Sequence, residues 1–293
     1  LLVNEQNSDG NTALSLAAIA GDAAAVKELL EAKATISIAN KDGKTPLQLA
    51  ADRDHTAIMK LLGNVAADPD DNSAVAMAAQ NGDTELVQKL IASKAAVNER
   101  NTQGQTPLML ASLNGHTGAV QALVAARANL RARDNAGFSA IAEAAYHDRI
   151  EVVRVLLKAR ASLSDSNNQA QTPLMLAVDA GHIEMVQLLV DSHADLDACE
   201  ADGFTALAIA ASNGCVDIVR ILVDAQASLD VENHSGETAL IAAAAQGHAD
   251  VVSVLLAAGA DATIANKDGA TALDVAAAAG NGDVAELLKA HKN

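Results

Sequence analysis

The sequence is short of aromatic rings, and this shortage limits how its core can be built. Its 293 residues include no Trp, and the rings of Phe and Tyr are confined to Phe138, Tyr146 and Phe204. A globular core normally uses large rings to fill its centre, yet half of this chain is hydrophobic without them. Packing must therefore depend on Ala, Leu, Val and Ile, which suits thin layers of helices lying close together.

Cations are scarce as well, since 20 Lys and Arg stand against 37 Asp and Glu, a formal net charge of −17. This balance argues against nucleic acid, whose affinity comes largely from cationic contacts to phosphate, and against an anionic membrane surface. Residues 100–160 hold 8 Lys and Arg against 4 acids, whereas residues 161–293 hold 4 against 19. The acidic part either keeps an Ala-rich stack in solution or steers a basic protein partner in a salt-sensitive way.

The two cysteines, Cys199 and Cys215, form no C-x-x-C pair and have no histidines at matching spacing. Neither a disulfide scaffold nor a zinc site is expected. Unpaired thiols fit a reducing compartment, and the cytoplasm is the default expectation. No apolar run is long enough to insert across a bilayer, and no motif predicts a cofactor or a metal.

A repeat of 33 residues runs along the chain, marked by Gly or Asp. The series is Gly21, Asp54, Gly82, Gly115, Asp148, Gly181, Gly214, Gly247 and Gly280, with one shorter step of 28 residues from Asp54 to Gly82. A Thr or Ser opens each unit, at Thr12, Thr45, Ser73, Thr106, Ser139, Thr172, Thr205, Thr238 and Thr271. Nine units result, starting near residues 7, 40, 68, 101, 134, 167, 200, 233 and 266.

Each unit predicts two helices and a polar connector. The Thr or Ser side chain can accept from free N–H groups at a helix start, and Pro46, Pro107 and Pro173 occupy the first helical position, where Pro loses no hydrogen bond. Alanine pairs let the first helix approach its neighbours closely, and the Gly or Asp ends it. Aliphatic pairs such as Val152-Val153 then recur at helical spacing, which predicts a second helix.

This pattern resembles the ankyrin repeat, with its T-P-L-H-x-A-A and G-H-x-x-V-V-x-x-L-L signatures. Thr106-Pro107-Leu108 with Gly115-His116, and Thr172-Pro173-Leu174 with Gly181-His182, are the clearest matches. The resemblance covers essentially all of residues 1–293 and implies one domain, an all-α solenoid of stacked helix pairs with β-hairpin fingers. It also implies a curved section whose concave face is lined by fingers and first helices.

The same resemblance implies a non-catalytic protein–protein interaction scaffold, an adaptor or a structural subunit of a larger assembly. The alternative is a targeting or regulatory arm of a larger enzyme or channel. Residues 1–6 align with the end of a unit, so we expect them to be the tail of a preceding repeat. Five residues are missing around Gly63–Asp70, which predicts a truncated finger: either a harmless deletion or a notch in the solenoid.

Two positions depart from the family pattern. The His of T-P-L-H is replaced in every unit, by residues including Ser15, Gln48, Met109, Met175 and Ile241. The left-handed Gly that usually ends the second helix survives as Gly259, while the other units have Lys33, Lys94, Arg127, Arg160, His193 and Gln226. Cations at these helix ends either offset strain through the helix dipole or form a strip for an acidic partner.

No catalytic constellation stands out. Four histidines, His55, His116, His182 and His248, recur at one repeat position and are expected to be framework residues. They would stand one unit apart, roughly 10 Å at helix-packing distance, which is too far to share a metal ion. Glu143 stands where other units have Leu or Ile, and we expect local pairing with a hydroxyl or with Arg149, although a buried acid with a raised pKa is the alternative.

The three rings predict where a protein partner binds. Phe138 and Phe204 follow the finger glycines, and Tyr146 follows an alanine pair on a first helix. Aromatic side chains are enriched among interface hot spots, so we expect a face on units five to seven. The alternative is that the rings lie on neighbouring fingers and stiffen the stack. The expected face comprises Phe138, Tyr146, His147, Gln171, Asp179, Asp202 and Phe204.

Overall fold

The computed structural model describes residues 3–63 and 73–291. These residues form eighteen helices in nine consecutive pairs, which confirms the all-α repeat class. In chain order they are α1 Ala13–Ala20, α2 Ala23–Glu31, α3 Pro46–Ala51, α4 Thr56–Gly63, α5 Ala74–Gln80, α6 Thr84–Ala92, α7 Pro107–Asn114, α8 Thr117–Ala125, α9 Ala140–Tyr146, α10 Ile150–Lys158, α11 Pro173–Asp179, α12 Ile183–Asp191, α13 Ala206–Ser212, α14 Val216–Asp224, α15 Ala239–Gln246, α16 Ala249–Ala258, α17 Ala272–Ala279 and α18 Gly282–His291. The finger truncation expected around Gly63–Asp70 lies, from position 64, outside the described residues.

Every first helix begins after the predicted Thr or Ser. In all nine units this side-chain oxygen accepts a hydrogen bond from the backbone N–H three residues later. Pro46, Pro107 and Pro173 take the first helical position. These contacts satisfy donors that a helix start otherwise leaves without partners.

Second helices end in left-handed backbone, as the sequence predicts. The second residue past the end of the second helix has a φ between 60° and 65° wherever it is Lys, Arg, His or Gln. Gly259, which directly follows α16, has a φ of 97°. A side chain in this region costs roughly 1 kcal/mol relative to Gly. The six members with side chains are Lys33, Lys94, Arg127, Arg160, His193 and Gln226.

The fingers are tight turns rather than strand hairpins. In the second repeat, Asn40 N donates to Lys44 O at 3.0 Å and Gly43 N donates to Asn40 O at 2.9 Å. The Asn40 side-chain oxygen also accepts from Asp42 N and Lys44 N. Local side-chain bonds of this kind compete with a strand ladder. Within the described ranges the assigned β-pairing is one isolated bridge, between Ala265 and Thr271.

Contacts divide the chain into two compact units. The first comprises residues 1–135 with 154–159, and the second comprises residues 136–153 with 160–293. In the first, α1 packs against α2 and α3, and Leu14, Val26 and Leu62 are fully buried. In the second, α11 packs against α9, α12 and α13, and Val186 and Leu207 are fully buried. The expectation of a single domain over residues 1–293 stays a prediction.

Among the described residues, backbone hydrogen bonds join neighbouring fingers within each compact unit. In the second compact unit, Asn168 N donates to Ala136 O at 3.0 Å and Ala201 N donates to Gln169 O at 2.8 Å. His234 N continues the series onto Asp202 O at 2.9 Å. These bonds hold the linked fingers in register, so the backbone positions that carry their side chains are fixed relative to one another.

Candidate protein-binding face

A cluster of three rings lies where α9 ends. Tyr146 is the last residue of α9 and is 41% exposed, whereas Ala140–Ala145 of the same helix are buried. The Phe138 ring meets Tyr146 edge-on, with centroids 6.4 Å apart and an interplanar angle of 70°. His147 meets the other side of Tyr146 at 5.0 Å and 80°. We call Phe138, Tyr146 and His147 the ring cluster.

The surroundings of His147 disfavour its charged form. Burial lowers its pKa, and the charges of Arg149 and His182 lower it further. Its Nε2 lies 3.8 Å from the Glu143 carboxylate, which is only 7% exposed. A buried carboxylate thus lies beside the ring cluster, and the expected pairing of Glu143 with a hydroxyl or with Arg149 stays a prediction.

His182 holds the end of α9 in place. Its Nε2 lies 2.9 Å from the Tyr146 carbonyl oxygen. The other three histidines of this repeat position make the same contact with a carbonyl 36 residues earlier. The four histidines are framework residues, as predicted, and His182 fixes the backbone of the most exposed ring in the cluster.

Asp179 takes the Tyr146 position in the next unit. It lies 33 residues after Tyr146, ends α11 and is exposed. Asn213, from the following unit, donates its side-chain amide to Asp179 Oδ1 at 3.4 Å. An aromatic ring and a carboxylate thus occupy consecutive steps of one surface, roughly 10 Å apart at helix-packing distance.

The predicted finger residues differ in how free their side chains are. Gln171 Oε1 accepts from the Asn167 side chain at 2.9 Å, so it is used within its own finger. Phe204 is half-buried, and its N–H donates to Glu200 Oε1 at 3.1 Å. Asp202 is exposed at the finger tip. The Asp202 side chain is therefore accessible from solvent, whereas those of Gln171 and Phe204 are partly covered by the protein.

The structure brings together Phe138, Tyr146 and His147, but it places Phe204 two units away. Among the described residues, the ring contacts join only members of the ring cluster. Sequence reasoning missed Ile183, which is 45% exposed and follows His182 directly. The signal was available, since units five to seven have Ile150, Ile183 and Val216 at a position where the other units have Ala, Thr or Gly.

A cleft and a cysteine of the second compact unit have groups of types that occur in catalytic sites. A 530 Å³ cleft beside α14 and α16 is lined by residues including Arg220, Asp224, Asp250 and Ser253. The Ser253 hydroxyl donates to the Ala249 carbonyl at 2.9 Å. Burial raises the pKa of the Cys215 thiol, and the Asp179 charge raises it further, which weakens it as a nucleophile.

Two further properties concern ligands and membranes. Across residues 3–63 and 73–291, no group of three His, Cys, Asp or Glu side chains is placed to hold a metal ion. In the same ranges no helix has the length and hydropathy needed to cross a bilayer.

Comparison with known families gives one family description, "Ankyrin repeats (3 copies)". It matches residues 1–73, 75–168, 160–233 and 225–293, which together span nearly all of the chain.

A solved structure and a curated protein illustrate what the chain is similar to. The crystal structure of the ankyrin repeat domain of Bcl-3, a unique member of the IkappaB protein family, is 29% identical with a TM-score of 0.69. It covers 75% of this chain and 99% of that domain. Tyrosine-protein kinase Shark of Drosophila melanogaster is 34% identical over 111 residues, and the match spans 36% of this chain but only 12% of the kinase.

Proposed function

Because the chain belongs to the ankyrin-repeat family, we propose that it is a non-catalytic protein-interaction scaffold or adaptor. Ankyrin repeats are generally protein–protein interaction modules. The proposed binding face is built from fingers and first-helix ends of residues 136–293. One observation carries the proposal: the ring cluster lies at a helix end, and its Tyr146 is 41% exposed. Apart from Phe138 and Tyr146, the sequence has one further Phe, Tyr or Trp, which is Phe204.

Physical reasons favour these rings as anchors. A buried tyrosine would add to packing, whereas an exposed one adds little to stability and is available to a partner. Its backbone is already fixed by His182, so binding has little conformational entropy to lose. Ile183 and Asp179 add an apolar and an acidic contact on the next unit.

We further propose that the partner is basic. Residues 161–293 hold 19 acids against 4 Lys and Arg, and Asp179 and Asp202 are exposed on the proposed face. Exposed charges are screened beyond about 8 Å at physiological ionic strength. The association rate should therefore fall as salt is raised, and a rate that is constant across salt concentrations would contradict a basic partner.

The test is affinity capture with the wild type and with a Phe138→Ala/Tyr146→Ala/Phe204→Ala variant. Loss of the anchors should weaken binding of the captured protein by at least about 2 kcal/mol, while helical content and cooperative unfolding stay the same. Leu16→Ala removes a side chain of similar exposure, 46%, from the other compact unit and serves as the control. Equal binding by wild type and triple variant, or loss of the fold in the variant, would contradict the proposal.

A second candidate function is a targeting or regulatory arm of a larger enzyme. The similarity to Shark favours it, because the match there is limited to 12% of a kinase. The complete coding sequence distinguishes the two: a catalytic domain in the same reading frame supports the arm, and its absence supports the scaffold. For either function we propose the cytoplasm, supported by the free thiols of Cys199 and Cys215.

A further inference from the structure

Two consecutive connectors gather cations in an otherwise acidic protein. Residues 94–133 contain five cations and a single carboxylate, and all five cations are exposed. They lie in the first compact unit, whereas the ring cluster lies in the second. We call these five residues, Lys94, Arg100, Arg127, Arg131 and Arg133, the basic connector patch.

Hydrogen bonds hold the two connectors side by side. Asn129 N donates to the Asn98 side-chain oxygen at 2.8 Å. Arg100 donates through Nε to Gly104 O at 2.9 Å and through a terminal nitrogen to the Arg133 carbonyl. The cations are therefore presented from a fixed double loop and not from two independent ones.

Within residues 3–63 and 73–291, the cations of this patch are not paired with carboxylates. Among the described residues, ion pairs are formed by cations elsewhere in the chain, such as Lys44 and Lys89, and none joins a member of the basic connector patch to a carboxylate. Arg100 uses its donors on carbonyl oxygens, which leaves its charge in place.

Helix-dipole compensation accounts for only part of the patch. Lys94 and Arg127 lie two residues beyond the last residues of α6 and α8, in left-handed backbone with φ of 64° and 60°, and a cation near a helix C-terminus is favourable. Arg131 and Arg133 lie further along the connector, beyond the reach of that dipole, which falls off within the last turn. Two arginines thus need another reason to be there.

Arg131 also replaces a structural contact. At the same repeat position, Asn98, Asp197 and Asp230 each accept a hydrogen bond from the backbone N–H 31 residues later. An arginine side chain has donors only and cannot make this bond. The chain therefore gives up a cross-link between units where it places this cation.

We propose that the basic connector patch docks an acidic, extended segment of a partner protein. Adjacent units stand roughly 10 Å apart, and an extended chain advances about 3.3 Å per residue, so carboxylates every third residue match the spacing. A long polyanion would meet repulsion from the net charge of −17, whereas a short segment responds only to charges within about 8 Å. The chain then holds two partners of opposite charge on separate compact units.

The test uses a synthetic peptide, tetramethylrhodamine-(Glu-Gly-Ser)4-amide, whose carboxylates recur every third residue and whose dye reports anisotropy. Its binding to the full chain is measured by fluorescence anisotropy at low salt. The Arg127→Gln/Arg131→Gln/Arg133→Gln variant should bind about tenfold more weakly, because three exposed charge contacts are lost. The Lys27→Gln/Lys41→Gln/Lys60→Gln variant removes the same charge from other exposed positions and should bind like the wild type.

Two sets of results would overturn the proposal. If both triple variants lose affinity equally, or if the peptide does not bind the wild type, the docking site is overturned. If a twelve-nucleotide single-stranded DNA or a phosphatidylserine vesicle binds more tightly than the peptide, and the arginine variant removes that binding, the partner class is overturned. Circular dichroism of the three proteins checks that each retains its helices.

Discussion

At the scale of single residues, the framework histidines show how one side chain joins two units. Each lies at the start of a second helix and contacts a first-helix carbonyl 36 residues earlier, at 2.9 to 3.2 Å. The seventh unit has Cys215 instead, whose Sγ lies 3.9 Å from the Asn213 carbonyl within its own turn. Thiols are weak donors, so this unit lacks the contact that the four histidine units have.

Cys215→His should therefore stabilise the protein. The new imidazole would take the position that His182 and His248 have in neighbouring units and gain one hydrogen bond, worth about 1 kcal/mol. Urea unfolding should show a higher midpoint with an unchanged slope. Cys215→Ser, which keeps the size but does not reach the carbonyl, is the control, and a histidine variant no more stable than the serine variant would refute the account of this position.

His147 should make stability depend on pH in one direction. Burial lowers its pKa in the folded state, so below the ordinary histidine value of about 6.5 the unfolded chain binds more protons than the folded chain. Stability is then present above that pH and is lost as pH falls toward the folded pKa. The free energy of unfolding, measured relative to His147→Gln, should decrease between about pH 7.5 and pH 5; no change with pH would show that His147 is not buried in solution.

At the scale of helices and turns, the sequence predicts most of the structure because its local signals are repeated. A Thr or Ser that can accept from the third N–H, and a Pro that fits only the first helical position, each specify a helix start independently of the rest of the chain. Left-handed residues after the second helices follow from the family position of Gly259. Nine repetitions of the same signals remove the ambiguity that one occurrence has.

What the sequence could not predict depends on side-chain competition. The described fingers are turns because residues such as Asn40 and Asn167 bond their own backbone, and such bonds compete with a strand ladder. Gln171 is occupied for the same reason, since Asn167 donates to it. The lost T-P-L-H histidine is partly replaced, because Gln48 Oε1 accepts from Thr45 N at 2.9 Å, a capping box that composition alone does not indicate.

Gln226→Gly tests the left-handed helix ends. Gln226 has a φ of 65° and an exposed, uncharged side chain, so glycine removes strain without removing a charge from the helix end. The variant should gain up to about 1 kcal/mol of stability, less the greater freedom of glycine in the unfolded chain. Gly259→Gln is the reverse change in the next unit and should lower the unfolding midpoint. A destabilised Gln226→Gly variant would show that this backbone is not strained.

At the scale of the whole molecule, charge and rings are unevenly distributed along a uniform repeat. The framework repeats in all nine units, but the ring cluster lies in the second compact unit and the basic connector patch in the first. Repeat positions that packing does not fix are free to vary, and binding residues are expected at those positions. Sequence reasoning placed Phe138, Tyr146 and His147 on one expected face but did not predict the contact between the Phe138 and Tyr146 rings; it missed Ile183 because exposure depends on tertiary packing.

The central claim is that a protein partner contacts the finger and first-helix face, and site-specific photocrosslinking tests it most directly. Tyr146→p-benzoylphenylalanine places the crosslinker in the ring cluster, and Arg220→p-benzoylphenylalanine places it at an exposed position on the second helix α14. With the partner recovered by affinity capture, the account predicts a covalent adduct from position 146 and none from position 220. An adduct from position 220 with none from position 146 would contradict it.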